Sequence, residues 1–438
     1  MNGVLFSGLR RAGASMNVLL FCVLLTHLAA YLVIPLLPIY LKADKELTAA
    51  GIGMVMAVAP VTFQIASLAG GWLAARIGRR TVIAFGYLTN GAGFAGYALA
   101  EPVWLLMAAG LIHGTGLGLH APAIKAAIAA LAEKNGEDLD AFSLRGIAAN
   151  LGVAAGGALS YFVLGGASDP IFYAAAGLFA LLGLLAATAL PGRGKEPQQP
   201  AFLLKTYRDI FRNKPFVVFS LASILIWALY FQLTLSLPLR AASVLPDPGA
   251  VSLIWTVNSI TVIFFQTWVT RLVAERIHPM YALAAGVLFI GAGLGSLMWA
   301  AGFAGLLICG VIFIIGEMLI MPTMDTAVAR LGTAAMAGSF FGLANFVSGI
   351  GEGAGKLAGG QLLNLGPDSP VPWVAYMLAA VVISLLLTAL RYWKPMRAVL
   401  PASRPGFPRG GNEGIYPSGG NHAALQAGLK GRNRGRVK

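Results

Sequence analysis

Four groups able to bind a proton lie deep inside apolar stretches of this 438-residue chain: His27, His113, His120 and Glu317. A carboxyl group held in an apolar setting can load and release a proton, and a histidine titrates near neutral pH and can pass one on. The same residue types also bond neighbouring helices, so residue type alone leaves both roles open. His113 and His120 are seven apart and share a helix face two turns apart. Glu352 and Lys356 stand at i and i+4 with the acid first, the order that favours an intrahelical pair, and they are read as neutralising each other. Lys125 and Asp325 lie near the ends of their stretches, where long side chains can snorkel to an interface, and are read as gate or anchor residues. No HExxH or CxxC spacing occurs, so no metal, haem or other cofactor is expected. Cys22 and Cys309 sit in separate apolar segments and read as small hydrophobes. No aspartate dyad or Ser/His arrangement at catalytic spacing supports an enzyme.

The elements that hold these groups follow from composition. The chain is 58% hydrophobic and 11% charged, whereas a soluble domain carries about 25% charged residues. It cannot cover a globular surface with polar groups, which excludes a soluble enzyme. Twelve stretches have the length of about 20 apolar residues that a helix needs to cross a bilayer. They fall near 16–40, 48–73, 81–100, 103–131, 143–165, 171–190, 216–239, 250–273, 280–300, 302–325, 334–362 and 371–392. At helical rise His27 and His113 lie roughly 15 Å into their spans, near the midplane, and Glu317 roughly 21 Å into its own. The run after Arg10 and Arg11 is about 25 residues, longer than the core of a signal peptide, and is expected to remain as a helix.

Lysine and arginine are distributed unevenly between the two sides. With the N-terminus inside, inner segments hold 26 basic residues, while the outer loops hold Lys42, Lys45 and Arg240. This bias predicts a multi-pass protein of the cytoplasmic (inner) membrane with both termini cytosolic. Much of the net charge of +14 resides between Arg391 and Lys438, which contain ten basic residues and one acid. Four regions are expected: a six-helix half over 1–190, a cytosolic linker over 191–215, a second six-helix half over 216–393, and a disordered basic tail over 394–438. Phe202, Leu203, Tyr207, Ile210 and Phe211 recur at helical spacing and predict a short amphipathic helix lying on the inner leaflet. An inner-leaflet location explains the tail's charge through anionic lipid, so no nucleic-acid partner is expected.

The halves superpose at an offset of 200: Ala75-Arg76-Ile77-Gly78 falls on Glu275-Arg276-Ile277-His278. Two such repeats suit a transporter with its site near the midplane between them. Gly110, Gly114 and Gly118 recur every four residues, as do Gly152 with Gly156 and Gly351 with Gly355. These faces permit close helix packing, and the spacing leaves open whether they also slide.

Gly71-Trp72-Leu73-Ala74-Ala75-Arg76-Ile77-Gly78-Arg79-Arg80 resembles the loop signature of the major facilitator superfamily. Gly316-Glu317-Met318-Leu319 with Pro322 and Asp325, Phe142 to Gly152, and Phe341 to Gly355 are similar to its drug:proton antiporter-like branch. The resemblance covers about 16–393 and implies an all-α fold of twelve transmembrane helices in two repeats. It also implies a cytosolic gate at Gly71, Arg76, Gly78, Arg79, Arg80 and Asp325. Spans one, four, seven and ten would surround a central cavity, bringing His27, His113, His120, Tyr230, Gln232 and Glu317 to it. Two positions depart from the pattern: Ala75 replaces the loop's acid, and Leu111 replaces the arginine expected in the fourth span.

The expected function is secondary active transport: proton-coupled efflux of a small amphipathic molecule by a monomer among membrane lipids. The alternatives are an importer, facilitator or lipid translocase without proton coupling, and a non-transporting scaffold or receptor.

Overall fold

The computed structural model describes residues 14–135, 138–190, 208, 210–332, 337–366 and 368–400. Its helices are set by the apolar runs. The first half contains α1 (Ala14–Val33, resuming at Leu37–Ala43), α2 (Ala49–Ile77), α3 (Arg79–Leu99), α4 (Val103–Asn135), α5 (Asp138–Phe162) and α6 (Asp169–Ala189). The second contains α7 (Lys214–Tyr230, resuming at Leu233–Val244), α8 (Ser252–Arg276), α9 (Pro279–Ser296), α10 (Gly302–Leu331), α11 (Ala337–Leu363) and α12 (Val371–Tyr392). Among the described residues there is no β-strand. Nine of these helices are long and apolar enough to cross a membrane; the other three, α3, α5 and α11, owe their lower hydropathy to glycine and charge.

Local chemistry sets the breaks. Pro35 interrupts α1, because it lacks an N–H and disfavours helix at Ile34. Gly78 alone joins α2 to α3, and its φ of 91° is a conformation glycine adopts without penalty. The tail begins later than its composition suggests. Lys394–Val399 forms a further helix, α13, with proline in its first turn, and Met396 and Leu400 are each 1% exposed. Composition could not reveal that these side chains have an apolar surface to dock on. Residues 401–438 and most of the linker, including 201–207, lie outside the described residues; Ile210 is buried and Phe211 exposed.

The internal repeat appears in the packing. A Cβ added to Gly86 would meet Gly116 O and His120, while one on Gly286 would meet Gly316 O and Ile320. Gly93 abuts His113, and Gly293 abuts Phe313. Gly152 lies against Leu24 and His27 just as Gly351 lies against Ile224 and Trp227.

Contacts between the halves run from one end toward the middle, where Gly353 of α11 meets Val61 and Gly349 meets Gln64 of α2. Gly53 of α2 meets the Lys356 carbonyl and Gly360 of α11, and Gly157 of α5 meets Ser252 of α8. Thr256 donates to Ala154 O at 2.9 Å. Toward the opposite end the partners diverge: a Cβ on Gly146 of α5 or Gly342 of α11 would meet nothing within 4 Å.

Candidate functional site

The break in α7 places Tyr230 at the end of one helical segment, facing α10. There a cavity of about 120 Å³ opens between the halves, with Glu317 in its wall. The Tyr230 side chain and the Glu317 carboxylate share the wall of this cavity, and Tyr31 of α1 lies within electrostatic range of both Glu317 and Glu352. The Tyr230 and Phe313 rings meet tilted, with centroids 5.5 Å apart, and Phe231 and Trp255 extend the aromatic wall. Asn150 and Asn258 also line the cavity. Asn258 is 4% exposed, and its Oδ1 accepts no hydrogen bond. The lining therefore combines a carboxylate and an amide acceptor with aromatic faces. It suits a ligand with N–H or O–H donors, or a positive charge, on an apolar body.

The other residues expected at the cavity are placed elsewhere. Gln232 is 3% exposed and spans the α7 break: it donates to Ala228 O at 2.9 Å and to Gly355 O at 2.6 Å, and accepts from Tyr376 at 3.1 Å. It satisfies the Ala228 carbonyl, freed where the helix stops, and ties α7 to the Gly355 carbonyl of α11. His27 bonds Val23 O at 2.8 Å, one turn back on its own helix, beside Gly152. His113 and His120 do share a face, but it packs on α3, where Asn90 lies between them. Helical spacing fixed their common direction; the neighbouring helix decided what they meet. Asn90, a neutral amide in an apolar span, carries no charge signal and was missed by sequence reasoning. So was Tyr31, which reads as one more apolar-face aromatic.

Lys356 Nζ lies 2.5 Å from Glu352 Oε1, within one turn of α11, and 5.8 Å from the Phe231 ring. The segment read as a loop from Gly71 is helical to Ile77, as the end of α2; there Arg76 is exposed and lies over the Trp72 ring at 4.0 Å. Arg79 and Arg80 occupy the first turn of α3, next to Gly78. Asp325 of α10 is exposed and within electrostatic range of Lys125 of α4, across the divide between the halves. The expected glycine faces serve packing within each half: Gly110, Gly114 and Gly118 meet α2, Gly152 and Gly156 meet α1, and Gly351 and Gly355 meet α7. Other glycines, among them Gly53, Gly157, Gly349, Gly353 and Gly360, make contacts between the halves.

The family model for the Major Facilitator Superfamily matches residues 19–356. The chain belongs to this superfamily. It is thus a multi-pass membrane protein of a transporter family. Among its relatives is the multidrug resistance protein MdtH of Escherichia coli (strain K12 / DH10B), 25% identical over 367 residues, covering 82% of this chain and 89% of MdtH. The MFS-type transporter YqjV of Bacillus subtilis (strain 168) is 25% identical over 381 residues, covering 84% of this chain and 90% of YqjV. The fold matches the crystal structure of the nucleoside transporter NupG with a TM-score of 0.72 at 16% identity, over 87% of this chain and 100% of that one. A POT family transporter in complex with 5-aminolevulinic acid matches with a TM-score of 0.72 at 16% identity, over 86% and 97% of the two chains.

Proposed function

We propose that this superfamily member exports a small amphipathic molecule in exchange for protons, by alternating access, from the cytoplasmic membrane with both termini in the cytosol. The observation that carries this reading is the Glu317 carboxylate in the wall of the inter-half cavity, beside Tyr230 and Tyr31. An ionisable group at that depth is costly in a bilayer and is for that reason a functional candidate. Deprotonated Glu317 would attract a donor-bearing or cationic cargo; a proton taken up by Glu317 would cancel that attraction and release the cargo. One site thus binds proton or cargo in turn, which is the requirement for antiport. The multidrug resistance name carried by MdtH supports the outward direction. The lysine and arginine bias supports placing the divergent end, with Gly146 and Gly342, toward the cytosol.

The test is Glu317→Gln in proteoliposomes with an imposed pH gradient and a panel of aromatic amines. Glutamine keeps the size and can still accept a hydrogen bond, but does not titrate. Gradient-driven accumulation should be lost, while cargo binding or downhill exchange persists. A variant that still concentrates cargo with unchanged pH dependence would refute the proton role of Glu317.

A further inference from the structure

Between α3 and α4 lies a buried polar chain that the cavity does not use. His113 Nδ1 is 2.8 Å from Asn90 Oδ1, and Asn90 Nδ2 is 3.0 Å from His120 Nε2. Asn90 and His120 are each 0% exposed. His120 stacks on Tyr87 with ring centroids 4.4 Å apart, and the Tyr87 hydroxyl bonds Thr26 of α1 at 2.9 Å. Packing does not require this chemistry. The repeat-related helix pair places Ile290, Phe313 and Ile320 at the same three positions, beneath the same glycine contacts.

The direction of the bonds assigns the protons. An amide oxygen only accepts, so His113 Nδ1 carries hydrogen. An amide nitrogen only donates, so His120 Nε2 is a bare lone pair and its hydrogen sits on Nδ1, which is buried without a partner. The two histidines are therefore unequal. Protonating His113 adds hydrogen at Nε2 and keeps the Nδ1–H bond to Asn90. Protonating His120 places N–H against the Asn90 N–H and leaves a buried cation with no acceptor.

We propose that Asn90 is a positioning residue that makes His113 the one member of this pair able to take up a proton with the network intact. His113 then supplies a proton site in the first half, complementing Glu317 in the second; this use rests on the proton-coupled reading above. The groups facing His113 are few. On α3 they are Asn90, Phe94 at 4.5 Å and Tyr97 at 6.4 Å between ring centroids. On α2, Ala59 and Thr62 pack at the adjacent Gly114 and do not titrate. His120 is on its own helix, and Lys356 of α11, across the divide, is in electrostatic range with its charge paired by Glu352.

The test is nitrogen NMR of the reconstituted protein with isotope-labelled histidine, without cargo, over pH 8 to 4. His113 and His120 are assigned through His113→Gln and His120→Gln. The expected result is a His120 that stays neutral with hydrogen on Nδ1, while His113 becomes doubly protonated first. Asn90→Asp, whose carboxylate accepts from both rings, should let His120 protonate as well. Titration of His120 first, of both together in the native protein, or of neither by pH 4 would overturn the proposal. As a second readout, Asn90→Leu and His113→Gln should shift the pH profile of transport in the same direction. The NMR outcome stands or falls without transport, so failure of the exporter reading is read separately, from Glu317→Gln.

Discussion

Replacing Gly53 with alanine should open the closed end of the molecule. The added Cβ would sit 2.5 Å from the Lys356 carbonyl oxygen and 3.0 Å from the Gly360 Cα. Carbon–oxygen contacts of this kind settle at about 3.3–3.6 Å, so α2 and α11 must move apart by roughly 1 Å there. Both obstacles are backbone, which cannot swing aside as a flexible side chain could. Overpacking of this sort costs about 1–3 kcal/mol. The penalty falls only on the state in which these helices touch, so the equilibrium should shift by about 5- to 150-fold toward the state open at this end. Spin labels at Glu46 and Leu365, both exposed at this end and in different halves, would report the change as a longer distance population. Gly360→Ala, whose Cβ would meet Ala49 O at 2.7 Å, should act likewise; Gly177→Ala, with nothing within 4 Å, should not. A folded, monodisperse Gly53→Ala protein with unchanged distances would refute the claim that this contact closes the molecule.

Three further outcomes are expected. Glu352→Gln leaves Lys356, 7% exposed, without its carboxylate and should lower thermal stability in detergent by about 3–5 kcal/mol, most of it regained in the double variant Glu352→Gln/Lys356→Met. Single cysteines at Lys42 and Lys195 should differ in intact cells, an impermeant reagent labelling position 42 and sparing 195; the reverse pattern would invert the proposed orientation. His278 accepts from Met280 N through Nδ1 and donates to Leu400 O through Nε2, and burial, with Arg391 and Arg330 nearby, holds its proton affinity below the ordinary histidine value. A lowered value means the stabilisation is present above about pH 6.5 and is lost as pH falls. Hydrogen exchange at 394–400, corrected for its intrinsic rate, should therefore rise on acidification in the native protein and lose that dependence in His278→Asn; exchange indifferent to pH in the native protein would dismiss the clasp.

The sequence determined the spans by itself, because bilayer thickness imposes one length on every crossing helix and apolar runs of that length are visible without any partner. The run read as 371–392 is the helix Val371–Tyr392, and that read as 302–325 lies within Gly302–Leu331. The Glu352–Lys356 pair was equally legible, since one turn of helix brings the two together with no tertiary help. Glu317 stood out because an ionisable group in an apolar span is rare and costly, although residue type alone left a helix-bonding role open. What only tertiary structure decided is which neighbour each helix face meets. His113 and His120 share a direction by periodicity, yet that direction leads to Asn90 rather than to the cavity. Gly110 and Gly53 are indistinguishable as letters, yet one packs inside a half and the other closes the gap between halves. Periodicity is a property of one helix, whereas a contact belongs to two, and the angle between them is set by the packing of the whole bundle.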